Sequence, residues 1–389
     1  MSRNRTAAAV ALLALLLPVP LAAAGTAAAA ESTATATKSR GAAVELPRPT
    51  GRFSVGLDTL HLVDHSRTDP WAGSGPRELM VTMRYPARRD TGGTARYLTS
   101  EEARLLLVDR KLDKVIPVET LTGTVTRSRT NARPVAGQYP LIVLSPGFTV
   151  HRATLTSLAE DLASRGYVVA AVDHAYESVG TAFPGGRVLE CLALEKVKAG
   201  AGMQAVSDTR ARDVSFLLDR LTGHHPAWHH AGLIDGTRIA MAGHSIGGAS
   251  AVAAMATDPR IRAGVNMDGG LATPVPAAGL GGRPFMLIGA QERGPGGSQS
   301  WDRDWPLLDG WKRWITFAGS GHFTFSDFPA IGEQLGLPLD PKAPLPGARS
   351  VELTRRYVGA FFDQHLRGTP QPVLDGPSAD APEVRFHTP

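Results

Sequence analysis

A serine, two carboxylates and a histidine stand in this chain where a nucleophilic hydrolase would need them. Ser245 lies in Gly243-His244-Ser245-Ile246-Gly247, a G-x-S-x-G pattern between an apolar strand-like run over 237–242 and an alanine-rich stretch over 248–255 that reads as a helix. A serine on such an elbow is held in a strained conformation that projects its hydroxyl above the sheet, while small glycines let helix and strand pack beside the turn. Downstream, 260–268 reads as a strand ending in Asp268, 284–290 as one ending near Glu292, and 314–317 as one running into Gly319-Ser320-Gly321-His322. Acid and imidazole thus fall at the carboxyl ends of successive strands, where the loops of an open α/β sheet converge on one crevice. The order Ser, acid, His fits acyl transfer. His322 would take the Ser245 proton as general base and return it to the leaving group, and a carboxylate would fix the imidazole tautomer and stabilise the imidazolium. Position favours Asp268 for that carboxylate and leaves Glu292 open.

An oxyanion needs two backbone donors. One is expected at the residue after the nucleophile, Ile246, and the other in the loop after an earlier strand. Residues 139–144 form that strand and Ser145-Pro146-Gly147-Phe148 its turn, with Gly147 permitting close backbone approach.

The motifs also resemble those of a known family. Ser245 and Asp268 are 23 residues apart (268 − 245 = 23). Gly-His-Ser-Ile-Gly-Gly over 243–248, Asn-Met-Asp-Gly over 266–269 and Gly-Ser-Gly-His-Phe-Thr-Phe-Ser-Asp-Phe over 319–328 resemble consecutive motifs of the type II platelet-activating-factor acetylhydrolases. The likeness extends upstream through 144–148 and 158–174, and begins near Pro49. It implies the α/β-hydrolase fold, Asp268 as the acid, the Phe148 N–H as the second oxyanion donor, and short or modified acyl chains on phospholipid-like esters as the substrate class.

The elements around these residues follow from periodicity. Residues 57–63 and 78–86 alternate at period two, as antiparallel edge strands opening a mostly parallel sheet would. Amphipathic helices covering both faces are expected over 99–116, capped at Thr99, over 209–221 and over 353–366. Two insertions, 176–202 and 294–310, would hang near the carboxyl ends of the strands as pocket walls or a lid, and Trp301, Trp305 and Trp311 would meet a lipid surface or an apolar substrate. His224, His225, His229 and His230 form a tight cluster, but Pro226 breaks helical ligand spacing and no acid or cysteine lies alongside, so a solvated loop is expected. His174 is a supporting residue near the pocket, whereas His244 and His365 are poor candidates for the base.

With 389 residues, 43% hydrophobic and 20% charged, the chain is long enough for one α/β domain with extensions. Residues 1–30, with Arg3 and Arg5 before the apolar run 7–17 and small residues at 28–30, read as a secretory signal peptide. Its removal takes two arginines and no acids, so the formal charge falls from +5 to +3, and no basic cluster dense enough for nucleic acid appears. Residues 31–48 read as a flexible leader, 49–370 as the catalytic domain and 371–389 as an irregular, proline-rich tail. Cys191 is the only cysteine, which excludes an intramolecular disulfide. The expectation is a secreted serine hydrolase of carboxylic esters that needs no cofactor or metal, takes a small-molecule or lipid ester with transient lipid-surface contact, and has no obligate protein partner. Triacylglycerol lipase, polyester hydrolase and peptidase are alternatives within the chemistry, and a catalytically inactive binding protein is the alternative outside it.

Overall fold

The computed structural model describes residues 43–337 and 342–389. The expected signal peptide and most of the expected leader lie outside the described residues.

Thirteen strands are present among the described residues. They are β1 (Ser54–Thr68), β2 (Pro76–Ala87), β3 (Gly93–Thr94), β4 (Ser128–Thr130), β5 (Tyr139–Ser145), β6 (Val168–His174), β7 (Thr181–Phe183), β8 (Arg187–Leu189), β9 (Ile234–His244), β10 (Ile261–Met267), β11 (Phe285–Gly289), β12 (Lys312–Phe317) and β13 (Val384–His387). The helices are α1 (Ser100–Asp109), α2 (Val118–Thr122), α3 (Thr156–Ser164), α4 (Leu192–Lys196), α5 (Gly202–Thr222), α6 (Ile246–Thr257), α7 (Gln299–Asp304), α8 (Phe328–Gln334) and α9 (Gly347–Arg367). Eleven strands form one sheet in the order β13-β12-β11-β10-β9-β5-β6-β2-β1-β4-β3, and β7 and β8 make a separate hairpin. The centre, from β6 to β12, is parallel throughout, whereas β2 joins β6 and β13 joins β12 antiparallel. This is the α/β-hydrolase fold that the family resemblance implies.

Alternation along β5 shows how the sheet is covered. Leu141 and Val143 point into an apolar layer with Val214, Leu217 and Leu218 of α5 and Ala249 and Val252 of α6. Ile142 and Leu144 point into the opposite layer with Leu158 and Leu162 of α3 and Tyr357, Phe361 and Phe362 of α9. All four β5 side chains are fully buried, as strands covered on both faces require. The chain leaves β5 for β6 on one side and returns through α5 to β9 on the other, so the order reverses between β5 and β9. In open α/β sheets ligands bind outside such a switch point.

Two expectations are corrected. Residues 43–48 are docked rather than free: Val44 and Leu46 are buried, the Leu46 N–H donates to the Val125 carbonyl, and Arg355 of α9 donates to the carbonyls of Pro47 and Arg48. The tail over 371–389 is not irregular throughout, because β13 adds a strand to the sheet by pairing with β12. Proline density stops short of Val384, which leaves four residues free to form ladder hydrogen bonds. Helix lengths also differ. The capping box of Thr99 and Glu102 opens α1 as expected, but α1 ends at Asp109, and α5 and α9 begin 7 and 6 residues before their predicted starts (209 − 202 and 353 − 347).

Candidate active site

β9 ends at His244 and α6 begins at Ile246, leaving Ser245 alone on the turn with φ 56° and ψ −127°. A non-glycine residue with that backbone is strained and persists only where its surroundings dictate it. Here they do: the Ser245 N–H donates to the Met267 carbonyl at 2.8 Å. The flanking glycines are required by contact, since a Cβ at Gly247 would stand 2.0 Å from the Ser145 carbonyl oxygen and one at Gly243 would stand 2.2 Å from the Gly247 carbonyl carbon.

Ser245 Oγ lies 3.0 Å from His322 Nε2, and His322 Nδ1 lies 2.5 Å from Asp268 Oδ2. With the imidazole proton on Nδ1 donated to the carboxylate, Nε2 is left to accept from the serine hydroxyl, the tautomer a general base requires. The His322 side chain is 41% exposed and that of Asp268 3%, so the imidazole meets solvent while its carboxylate partner is shielded. Asp268 itself has φ 60°, follows β10, and is held by the Ala290 N–H at 2.8 Å and by Arg293 Nε at 3.1 Å. Glu292 is exposed, on the short turn Gln291–Arg293 that follows β11. The structure thus brings Ser245, His322 and Asp268 together, with Asp268 rather than Glu292 on the imidazole.

Several supporting residues carry no local motif. Trp301 is fully buried, and its indole N–H donates to the Gly269 carbonyl at 2.6 Å, fixing the turn that carries Asp268. The guanidinium of Arg293 lies 5.6 Å from the Trp301 ring centroid, which ties the same loop together. This corrects the expectation that Trp301 meets a lipid surface or an apolar substrate. Trp305 packs on Trp314, and Trp311 packs on Phe361 and His365 before β12 starts, at the end of the sheet away from Ser245. His244 is no base, but it is not idle: its Nε2–H donates to the His322 carbonyl at 2.7 Å, with the two rings 4.8 Å apart. Burial, followed by the neighbouring His322, pushes His244 down to about 3, so this imidazole stays neutral.

Beside β9, the end of β5 carries a second hydrogen-bonded file. His174 Nε2 lies 3.1 Å from Ser145 Oγ, and His174 Nδ1 lies 2.8 Å from Asp213 Oδ2 on α5. Arg210, one helical turn before Asp213, donates to Ser145 Oγ at 3.1 Å and to the Pro146 carbonyl. Glu177 receives Arg210 on one oxygen and Arg77 on the other, and Arg77 also reaches Asp213 and Asp69. Every side chain in this cluster is buried. Burial and the Arg210 cation hold His174 below its ordinary range, and against the opposing effect of burial Arg77 and His174 hold Asp213 far below the carboxylate range. The cluster clamps the loop that follows β5. Thr149, with φ 67°, bridges to Ser178 after β6, its N–H donating to the Glu177 carbonyl at 2.9 Å. Phe148, half-buried, sits on this loop, and Ile246 is the first residue of α6, so its N–H has no acceptor within its own helix.

Among the described residues no helix is long and apolar enough to cross a membrane.

Comparison with known proteins agrees with the geometry. Residues 39–184 and 218–370 match the family model of platelet-activating factor acetylhydrolase, isoform II. The chain is similar to a probable 1-alkyl-2-acetylglycerophosphocholine esterase of Arthroderma benhamiae, at 31% identity over 88% of this chain and 93% of that one. It is similar to a platelet-activating factor acetylhydrolase of Bos taurus, at 25% identity over 83% and 77%. Among solved structures, a ferulic acid esterase from Streptomyces cinnamoneus superposes with a TM-score of 0.81 at 44% identity, covering 89% of this chain and all of that one. A serine elbow at the switch point of an α/β-hydrolase sheet and a family match over most of the chain lead to one conclusion: the protein belongs to the platelet-activating factor acetylhydrolase isoform II family and is a carboxylic ester hydrolase.

Proposed function

We propose that this protein is a secreted serine esterase that cleaves short-acyl or phospholipid-like esters through an acyl-enzyme. The observation that carries the reading is the continuous file from Ser245 Oγ through His322 to Asp268 on a strained elbow. Ser245 Oγ attacks the ester carbonyl as His322 Nε2 takes its proton, and Asp268 stabilises the resulting imidazolium. The developing oxyanion is received by the backbone N–H groups of Phe148 and Ile246. Collapse breaks the bond to the alcohol, whose oxygen takes the proton from His322. A water then repeats the sequence on the acyl-serine, releasing the acid and restoring the Ser245 hydroxyl. Export is supported by Arg3 and Arg5 ahead of the apolar run 7–17 and by the small residues at 28–30.

A second substrate reading has its own support. The ferulic acid esterase shares 44% identity over the whole of its length, more than the acetylglycerophosphocholine esterase does, and this favours hydroxycinnamoyl esters. Hydrolysis of p-nitrophenyl esters from acetyl to palmitoyl, with methyl ferulate and an alkyl-acetyl-glycerophosphocholine alongside, separates these. We expect a short-chain optimum that is lost in Ser245→Ala, with a drop on the order of 10⁶ in kcat. Preference for methyl ferulate would transfer the substrate class to the second reading, and a long-chain optimum would make it a lipase. No turnover of any ester, with Ser245 unlabelled by an organophosphonate, would overturn the enzymatic reading.

A further inference from the structure

The histidine cluster between α5 and β9 changes meaning once the chain is folded. In sequence it has no acid beside it. In the structure Asp58 of β1 is brought against it from a position 170 residues before Trp228. The donor atoms of Asp58, His229 and His230 all lie within 4.8 Å of one another, and Asp58 Oδ2 is 3.6 Å from His229 Nε2. Two ligands about 2.0–2.1 Å from a tetrahedral ion stand roughly 3.3–3.4 Å apart, so this pair is already near coordination spacing. His229 and His230 lie on one turn with rings 3.9 Å apart, presenting both imidazoles to the same side.

The surroundings hold the set in place. The Trp228 indole N–H donates to Asp58 Oδ2 at 2.8 Å, and the Asp58 side chain is only 10% exposed. The His230 ring packs edge-on against Tyr85 and Trp228, at 5.4 and 5.8 Å. His229 is 64% exposed, so its imidazole is open to solvent beside the shielded carboxylate. Carboxylates in metal sites are oriented by hydrogen bonds of this kind from outside the ligand set.

We propose that Asp58, His229 and His230 form a binding site for a divalent transition-metal ion of the zinc class, with solvent in the fourth position. Two imidazoles and one carboxylate suit zinc, nickel, cobalt or copper, whereas calcium and magnesium require oxygen-rich sets. His229 and His230 lie on the connection that enters β9 at Ile234, whereas Ser245 follows the last residue of that strand, so the two imidazoles stand at the opposite end of β9 from Ser245. A bound ion would join edge strand β1 to the connection between α5 and β9. Its role is that of a structural tie, and it does not depend on the proposed catalytic chemistry.

The test is calorimetric titration of the untagged full chain with zinc chloride in a non-coordinating buffer, paired with melting curves with and without the ion. One equivalent should bind and raise Tm. His229→Ala, at an exposed position that leaves the fold intact, and Asp58→Asn should each abolish the Tm rise. Trp228→Phe should weaken uptake about tenfold or more by freeing the carboxylate. Cobalt should give the visible absorption of a tetrahedral site, lost in His229→Ala. Absence of uptake by the parent chain, or uptake unchanged in both His229→Ala and Asp58→Asn, would overturn the proposal.

Discussion

Ser245 sits on a strained backbone, and His322 turns Nδ1 to Asp268 and Nε2 to Ser245. Replacing Asp268 by Asn preserves shape but reverses which imidazole nitrogen carries the proton, so turnover should fall about 10⁴-fold. Glu292→Gln, on an exposed turn, should leave it unchanged. Steady-state kinetics on both variants checks the assignment, and the opposite pattern would move the acid to Glu292. His244 makes a prediction about pH. Its folded value of about 3 lies below that of an unfolded histidine, so between roughly pH 6.5 and 3 the unfolded chain binds the extra proton. Its contribution to stability is therefore present above that window and is lost as pH falls through it. Urea titrations from pH 7 to 4.5 should show proton uptake on unfolding, smaller by up to one proton in His244→Asn.

At the level of elements, α5 does two jobs with one face. Val206, Val214 and Leu217 pack on the sheet, and Arg210 and Asp213 occupy the same buried side. Arg210 and Asp213 fall within the helix expected over 209–221, but their partners on β2, β5 and β6 are remote in sequence and leave no local signal. Arg210→Lys keeps the charge but lacks the fork that spans Ser145 and the Pro146 carbonyl. Loosening the loop after β5 should lower kcat about 10²-fold with KM little changed. The rate ratio of an ester to its thionoester should shift with it, because that ratio reads the oxyanion donors. An unchanged ratio with a lowered melting point would make Arg210 purely structural. Elsewhere, legibility tracked how local the cause was. The elbow, the capping box of α1 and the strand before Asp268 are written in neighbouring residues. β13 pairs with the edge that β12 offers, and Trp301 is buried among residues distant in sequence such as Trp314 and Gly269, so neither has a local signal.

For the molecule as a whole, the parallel centre is sealed by packing on both faces, and the segment over 43–49 is part of that seal. Arg355 on α9 reaches through to its carbonyls, and Thr50 is held by Asp161 of α3. A chain beginning at Thr50 should be less stable than one beginning at Ala43. Losing the burial of Val44 and Leu46 removes about 3 kcal/mol, partly offset by ordering entropy that is no longer spent. Differential scanning calorimetry of the two chains reads this directly, and equal melting points would show that the segment is carried passively. The buried file of Ser145, His174 and Asp213 has a consequence of another kind. Judged by interatomic distances alone, it matches the constellation at Ser245 within a few tenths of an ångström, with the same ring nitrogens facing the same residue types. Template searches that score enzymes by such distances would therefore return two hits in this one molecule. Ser145 is an ordinary strand residue with no exposure, whereas Ser245 sits on a backbone that serine adopts only under constraint. Dihedral angle and solvent access, added to a distance template, turn that ambiguity into a single answer.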